Sequence, residues 1–316
     1  MKAAKKRIST KRHQQIVLNA WCWAFLSVTL IFYVAFMGWP IISSIYYSFL
    51  DWSGLTANAK YVGLDNYRKL FQDKLFWNAF QNSFRYTVIL VPLQLAVSLF
   101  LAYMLNNAKL KGKNLYRAIW FLPVITTSAV VGIIMVFIWS ENGPINSMMT
   151  FFQLFRNPIN FLGNSRYAMG TVIAISIWKD SGIYMIYWLA GLQSVPTDLY
   201  EAAALDGAGR GKTFYYVVLP MIAPTAGIIA ILCTLNSLKV FDIVQTMTGG
   251  GPYYATDVIG TFVYRTAFSS TIGMPRIGYA SAATILFGVV VIVMGLVLNW
   301  VKSFLQKKRG DRKSVV

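Results

Sequence analysis

The side chains of this sequence able to do chemistry are few, and most of them sit where charge is expensive. Lys179 and Asp180 fall at the centre of an otherwise charge-free run, Tyr167 to Gln193, while Lys239 and Asp242 close another, one helical turn apart in the same span. Near the middle of a membrane-spanning helix each charge costs about 2.5 to 3.5 kcal/mol on insertion scales, which makes all four functional candidates. Their charges sum to zero. Two readings stay open. The four serve as paired polar structure, or they line a wet cavity together with Trp178, Tyr184, Asn236 and Ser237, whose rings, amide and hydroxyls suit a polar solute.

A second candidate is "GAGRGKT", residues 207–213, which ends as a phosphate-binding loop does. Such a loop also needs a glycine at position 206, where this chain has Asp206, and a carboxylate there repels phosphate. The preceding "LYEAAAL" is a strong helix former rather than a buried strand, so a nucleotide site is excluded. Cys22 and Cys233 lie inside apolar runs, where a thiol packs, and neither a disulfide nor redox chemistry is expected. His13 stands alone in a basic tail. No His, Cys and carboxylate cluster has metal or nucleophile spacing, so the chain is expected to be non-catalytic and to hold no cofactor of its own.

The elements that position these residues follow from composition. With 316 residues, 56% of them hydrophobic and only 13% charged, the chain has too few polar side chains to cover several soluble globules. Runs free of charge span Ile16 to Leu50, Tyr86 to Ala108, Ala118 to Ser140, Thr213 to Leu238 and Ile277 to Val301. Each exceeds the roughly 20 residues a helix needs to cross a bilayer core, and Tyr167 to Gln193 makes a sixth apart from its central pair. The sequence thus predicts an all-α polytopic membrane protein, one six-helix domain over 16–305 between basic tails at 1–15 and 306–316. Pro92, Pro123, Pro220 and Pro224 sit in or beside spans, where kinks are expected.

The net charge of +18 follows this topology rather than a nucleic-acid surface. With both termini on one side, that side holds eighteen of the 29 Lys and Arg against nine opposite. The positive-inside rule then places both termini in the cytoplasm of a multi-pass plasma-membrane protein surrounded by lipid. Of the outer loops, Asp51 to Trp77 predicts a cap with a short helix. Glu141 to Arg166 carries an apolar piece too short to span, read as an interfacial helix, and Thr248 to Gly278 opens with "TGGGP".

One inner segment, within 195–220, breaks the apolar pattern. Pro196, Thr197 and Asp198 read as a helix start, with Asp198 as N-cap and Glu201 as its capping-box partner. The helix continues through Ala202, Ala203, Ala204 and Leu205 and stops where Gly207 and Gly209 permit left-handed backbone. A second short helix, Gly211 to Val217, leads into the next span. Three alanines make a narrow rod that another protein can approach closely, with Tyr200 and Leu205 as apolar anchors; an ordinary surface helix is the other reading.

Glu201, Ala202, Ala203, Gly207, Val217, Leu219 and Pro220 match, without a spacing error, the coupling-loop signature of binding-protein-dependent ABC importers. "WKDSGIYMIYWLAGLQSVPTDLYEAA", "FDIVQTMTGGGP" and "GYASAATILFG" are similar to the sugar permeases of that superfamily, and the chain resembles the first permease of maltose-type systems. The resemblance implies a type I importer permease fold: two permeases side by side, two ATPase subunits beneath them and an extracytoplasmic solute-binding protein above. ATP and Mg would then belong to the partner ATPase. Tyr200, Glu201, Ala202, Ala203, Leu205, Asp206 and Gly207 would couple to it, with Glu201 meeting a basic group. Trp178, Lys179, Asp180, Tyr184, Asn236, Ser237, Lys239 and Asp242 would line the path of a sugar, although this pore stretch has Lys239 and fewer amides than the maltose-type permease. The alternative cargo, a glycerol phosphoester, calls for arginine near the pore, for which Arg85 and Arg265 are the candidates. An ion-coupled secondary transporter built on Asp180 leaves the inner loop unexplained.

Overall fold

Prolines and polar breaks decide how the apolar runs become helices. The structure, a computed structural model, describes residues 2–55, 59–107, 110–154, 157–269 and 274–313, with side chains described only from 14 to 304. The side chains of the two basic tails, together with Lys109 and Arg156, therefore lie outside the described residues.

The first run is helical as α1 (Lys2–Tyr33) and α2 (Trp39–Ser48), joined through a π-helical turn, Val34–Gly38. Trp39 N–H bonds back to Val34 O, five residues away, immediately before Pro40. Proline lacks the amide proton and its ring crowds the carbonyl four residues back, and the wider π turn is where the helix absorbs this without breaking. The same device recurs at Pro220. After α10 (Arg210–Thr213), the π-helical turn Phe214–Val218 leads into α11 (Leu219–Leu238), with Leu219 N–H bonded to Phe214 O. The separate short helix expected at Gly211 to Val217 is instead the first turns of this continuous helix.

The chain is mostly helical, as expected, with one small addition: a two-stranded antiparallel hairpin, β1 (Leu50–Asp51) and β2 (Lys60–Tyr61), with Leu50 opposite Tyr61. The chain closes there because α3 (Asp65–Gln72) packs over it: the buried Asn66 amide donates to Ser48 O and Leu50 O, satisfying carbonyls left open at the end of α2. Asp73 then caps α4 (Lys74–Leu105), accepting from Leu75 N and Phe76 N, so that helix begins a dozen residues before its charge-free run.

The run Ala118 to Ser140 is not one straight helix. It divides into α5 (Lys113–Ile125) and α6 (Ser128–Ile138), bent by 99°. Thr126 is extended and Thr127 caps α6 by accepting from Val130 N–H, which ends one helix and starts the next. Beyond α7 (Pro144–Phe151), α8 (Ala168–Gln193) is the central element, packed on α4, α5 and α11. Gly182 lets α5 come close: a β-carbon there would lie 2.3 Å from Trp120 O. The chain continues through α9 (Thr197–Leu205), α12 (Asp242–Met247), α13 (Ile259–Phe268) and α14 (Ile277–Lys313).

Among the described residues four helical segments are long and apolar enough to cross a membrane: Gln14–Ser48, Lys74–Leu105, Arg210–Leu238 and Ile277–Phe304. The α5 and α6 pair makes a fifth when counted as one bent span. At 26 residues α8 has the length, but Lys179, Asp180 and its serines lower its hydropathy. A further correction concerns Lys239 and Asp242. Helix α11 stops at Leu238, and a break at Val240 and Phe241 separates Lys239 from α12, so the two are not one turn apart on a single helix.

Candidate functional site

Five helices converge on a cavity of about 180 Å3. Its wall takes Tyr86 and Gln94 from α4, Ser128 from α6, Ser176, Lys179, Asp180 and Tyr184 from α8, Cys233, Asn236 and Ser237 from α11, and Asp242 from α12. Ser176, Asp180 and Tyr184 are four residues apart and so share one face of α8. Lys239 and Phe241 reach the wall because α11 ends early: the chain turns inward, and Asp242 opens α12, where a carboxylate complements the positive end of the helix.

The two charges on α8 are unequal. Lys179 Nζ donates to Asp180 Oδ1 at 2.8 Å, with the Lys side chain 10% exposed and the Asp side chain 43% exposed. The ammonium is held inside protein while the carboxylate keeps solvent access. Around them Asn236 Nδ2 donates to Tyr184 Oη at 3.4 Å, and Ser237 Oγ donates to Thr87 Oγ1 at 3.1 Å. The lining is therefore a ring of hydroxyls and amides with two cations, Lys179 and Lys239, balanced by two carboxylates, Asp180 and Asp242, able to exchange hydrogen bonds with a polar solute without carrying strong net charge. Among the described residues no group of three or more His, Cys, Asp or Glu is placed to hold a metal.

A second arrangement lies at the other end of α8, on α9. The capping box predicted there does not form. Helix α9 starts two residues earlier than expected, at Thr197, with Pro196 as its N-cap and no side-chain cap bond. Asp198 consequently sits in the first turn, where it favours the helix dipole. Glu201 makes no hydrogen bond or ion pair among the described residues. The stop at Gly207 does form. Its φ is +73°, and the bonds Gly207 N–H to Ala204 O (3.1 Å) and Ala208 N–H to Ala203 O (2.9 Å) close a Schellman turn.

The rod has two faces. Ala203 is buried and Leu199 and Tyr200 pack on the bundle, and this burial raises the Tyr200 hydroxyl pKa above its ordinary value. Glu201, Ala202 and Asp206 are exposed, and Leu205 is 90% exposed, an apolar knob between acids. A groove of about 850 Å3 separates the rod from the ends of α4 and α5, lined by Tyr103, Tyr116, Trp120 and Phe214 among others.

Residues 94–310 match the family model described as "binding-protein-dependent transport system inner membrane component". The chain belongs to this family. This inner membrane component is 34% identical over 290 residues to the multiple sugar-binding transport system permease protein MsmF of Streptococcus mutans, covering 91% of this chain and 98% of that one. It is 30% identical over 309 residues to the lactose transport system permease protein LacF of Rhizobium radiobacter, covering 97% and 99%. The sn-glycerol-3-phosphate transport system permease protein UgpA of Yersinia pestis is 31% identical over 273 residues, covering 86% and 88%. Among solved structures, a chain of a bacterial ABC transporter involved in import of the acidic polysaccharide alginate superposes with a TM-score of 0.80 at 26% identity, covering 92% of this chain and 97% of that one.

In this inner membrane component the polar residues nominated from sequence come together with one exception. Lys179, Asp180, Tyr184, Asn236, Ser237, Lys239 and Asp242 all line the cavity; Trp178 does not, because its place on α8 turns it outward to 39% exposure. Tyr86, Gln94, Ser128 and Ser176 were missed. The buried four-residue spacing of Tyr86, Leu90, Gln94 and Ser98 along α4 was the signal available for two of them. Neither candidate arginine joins the wall. Arg265 is bound bidentately to the fully buried Asp257, at 3.0 and 2.6 Å, with its guanidinium over the Tyr254 ring. Arg85 lies on an exposed face of α4.

Proposed function

We propose that this chain is one permease subunit of an ATP-driven importer and forms half of the translocation pathway for a sugar or oligosaccharide. The observation that carries the reading is the convergence of seven sequence-nominated polar residues on a single intramembrane cavity in a chain of this family. Two relatives are named for sugar uptake and the structural neighbour for an acidic polysaccharide, which supports a saccharide cargo. The phosphoester alternative has a named relative too, but Arg265 is already spent on Asp257 and no arginine lines the cavity among the described residues.

In this reading six spans cross the membrane, counting the bent α5 and α6 pair and α8, with both termini and α9 in the cytoplasm. The exposed side of α9 seats in a cleft of one of two separate ATPase subunits, which carry the ATP and Mg. Closure of the ATPase pair drags the rod, and through Tyr200 and Ala203 the bundle, from inward-open to outward-open. Glu201, without a partner among the described residues, meets a basic group of the ATPase. A second permease covers the segment Gln14–Ser48, whose most apolar stretch has no residue buried within this chain. An extracytoplasmic solute-binding protein delivers the cargo; another structure of the alginate importer is described as a complex with an alginate pentasaccharide-bound periplasmic protein.

Affinity purification through this chain followed by mass spectrometry tests the assembly. Recovery of a second permease and an ATPase is expected. Solute accumulation by vesicles holding this chain alone, driven by an ion gradient, would sink the proposal.

A further inference from the structure

Gln94 is fully buried, lines the cavity, and its Oε1 has no hydrogen-bond partner among the described residues. Gln94 Nε2 donates to Ser181 Oγ at 3.4 Å, and Ser181 Oγ donates onward to Ile177 O, a chain that leaves Oε1 as the open atom. The backbone is held as well: Ser98 Oγ donates to Gln94 O at 2.6 Å, and Trp188 Nε1 donates to Ser98 Oγ at 3.1 Å. An unmet buried acceptor is costly, and a side chain locked this firmly keeps that cost for a reason found elsewhere in the working cycle.

The cavity supplies the reason. At about 180 Å3 it is smaller than the roughly 300 to 1,000 Å3 of pockets that enclose a small-molecule ligand. It must widen to pass a disaccharide, and widening uncovers the wall that now closes over Gln94. The geometry points to Gln94 as a specificity-determining residue of the pathway, its Oε1 accepting a hydrogen bond from a hydroxyl of the passing sugar. This rests on the reading of the cavity as a saccharide path. A group without an O–H or N–H at that position leaves the acceptor unpaired, so discrimination arises from the penalty as much as from the bond.

The test uses the complete importer, with its second permease, ATPases and binding protein, in proteoliposomes supplied with lactose, maltose or diacetylchitobiose. Gln94→Met keeps size and removes the acceptor. It is expected to lower uptake of the carried disaccharide about tenfold at limiting concentration. It is also expected to erase the parent's discrimination against one monodeoxy analogue of that disaccharide. Uptake within twofold of the parent overturns the proposal. So does lowered uptake with discrimination intact, since Gln94 would then act only through the Ser98 and Trp188 packing. Where Gln94→Met does not assemble, Gln94→Leu removes the acceptor with a branched side chain and must lose discrimination; retained discrimination overturns the proposal. Failure of the unmodified importer to carry any of the three sugars counts instead against the saccharide reading itself and removes the proposal with it.

Discussion

Lys179 and Asp180 are adjacent in sequence yet live in different media, because successive side chains on a helix diverge by about 100°. The ammonium folds back into protein and the carboxylate stays wet. Removing either partner is therefore not symmetrical. Asp180→Asn strands a buried cation and is expected to destabilise by about 2 kcal/mol, less than the 3 to 5 of a fully buried pair because the carboxylate keeps solvent access. Lys179→Met leaves a carboxylate that water can reach and is expected to cost less than half of that. The double variant should be more stable than Asp180→Asn alone. Thermal unfolding of the detergent-purified importer checks the order; equal losses from both single changes would mean that the pair is uniformly solvated.

At the scale of elements, glycines fix where backbones meet and where they turn, and the two roles predict different costs. Gly182→Ala places a methyl 2.3 Å from Trp120 O on α5, a contact with backbone that only a shift of α5 against α8 relieves. It is expected to abolish recovery of folded protein, whereas Gly170→Ala on the same helix, with open space around it, should be neutral. Gly207 has no neighbour within 4 Å but a φ of +73°. There Ala costs only backbone strain, about 1 to 2 kcal/mol, and Asn less. Gly207→Pro cannot adopt that φ at all. Uptake and ATPase recovery should fall in the order Asn, Ala, Pro, with Pro uncoupled; full transport by Gly207→Pro would show that the turn after α9 is not used. The long helices were legible in sequence because an unbroken charge-free run has little else to become in lipid. Their interruptions were not. Thr126 and Thr127 are too weakly polar to stand out in an apolar run, and Lys239-Val-Phe-Asp242 reads as one more turn of helix. Of the cavity, the charges were legible by their cost, whereas Gln94 carries only its four-residue spacing along α4 and Ser128 no signal, being placed on the wall by the bend between α5 and α6.

The whole molecule is incomplete as a single chain. Helix α2 packs on α14, but Phe25, Phe32 and Phe36 along the segment Gln14–Ser48 are 74%, 58% and 73% exposed. Lipid alone can solvate such a helix, since acyl chains are as apolar as leucine. A second permease can do so as well, and the two solvents differ in which faces they touch. Benzoylphenylalanine introduced singly at Phe25, Phe32 and Phe36 in the assembled importer distinguishes them on irradiation. Lipid gives no protein adduct at any of the three positions. A packed partner gives an adduct at these positions, which at i, i+7 and i+11 share one helical face, and the adduct should disappear when this chain is expressed without the second permease. Adducts are expected on the proposed assembly, because among the four long apolar segments of the described residues this one has 0% of its most apolar window buried, against 22 to 28% in the others.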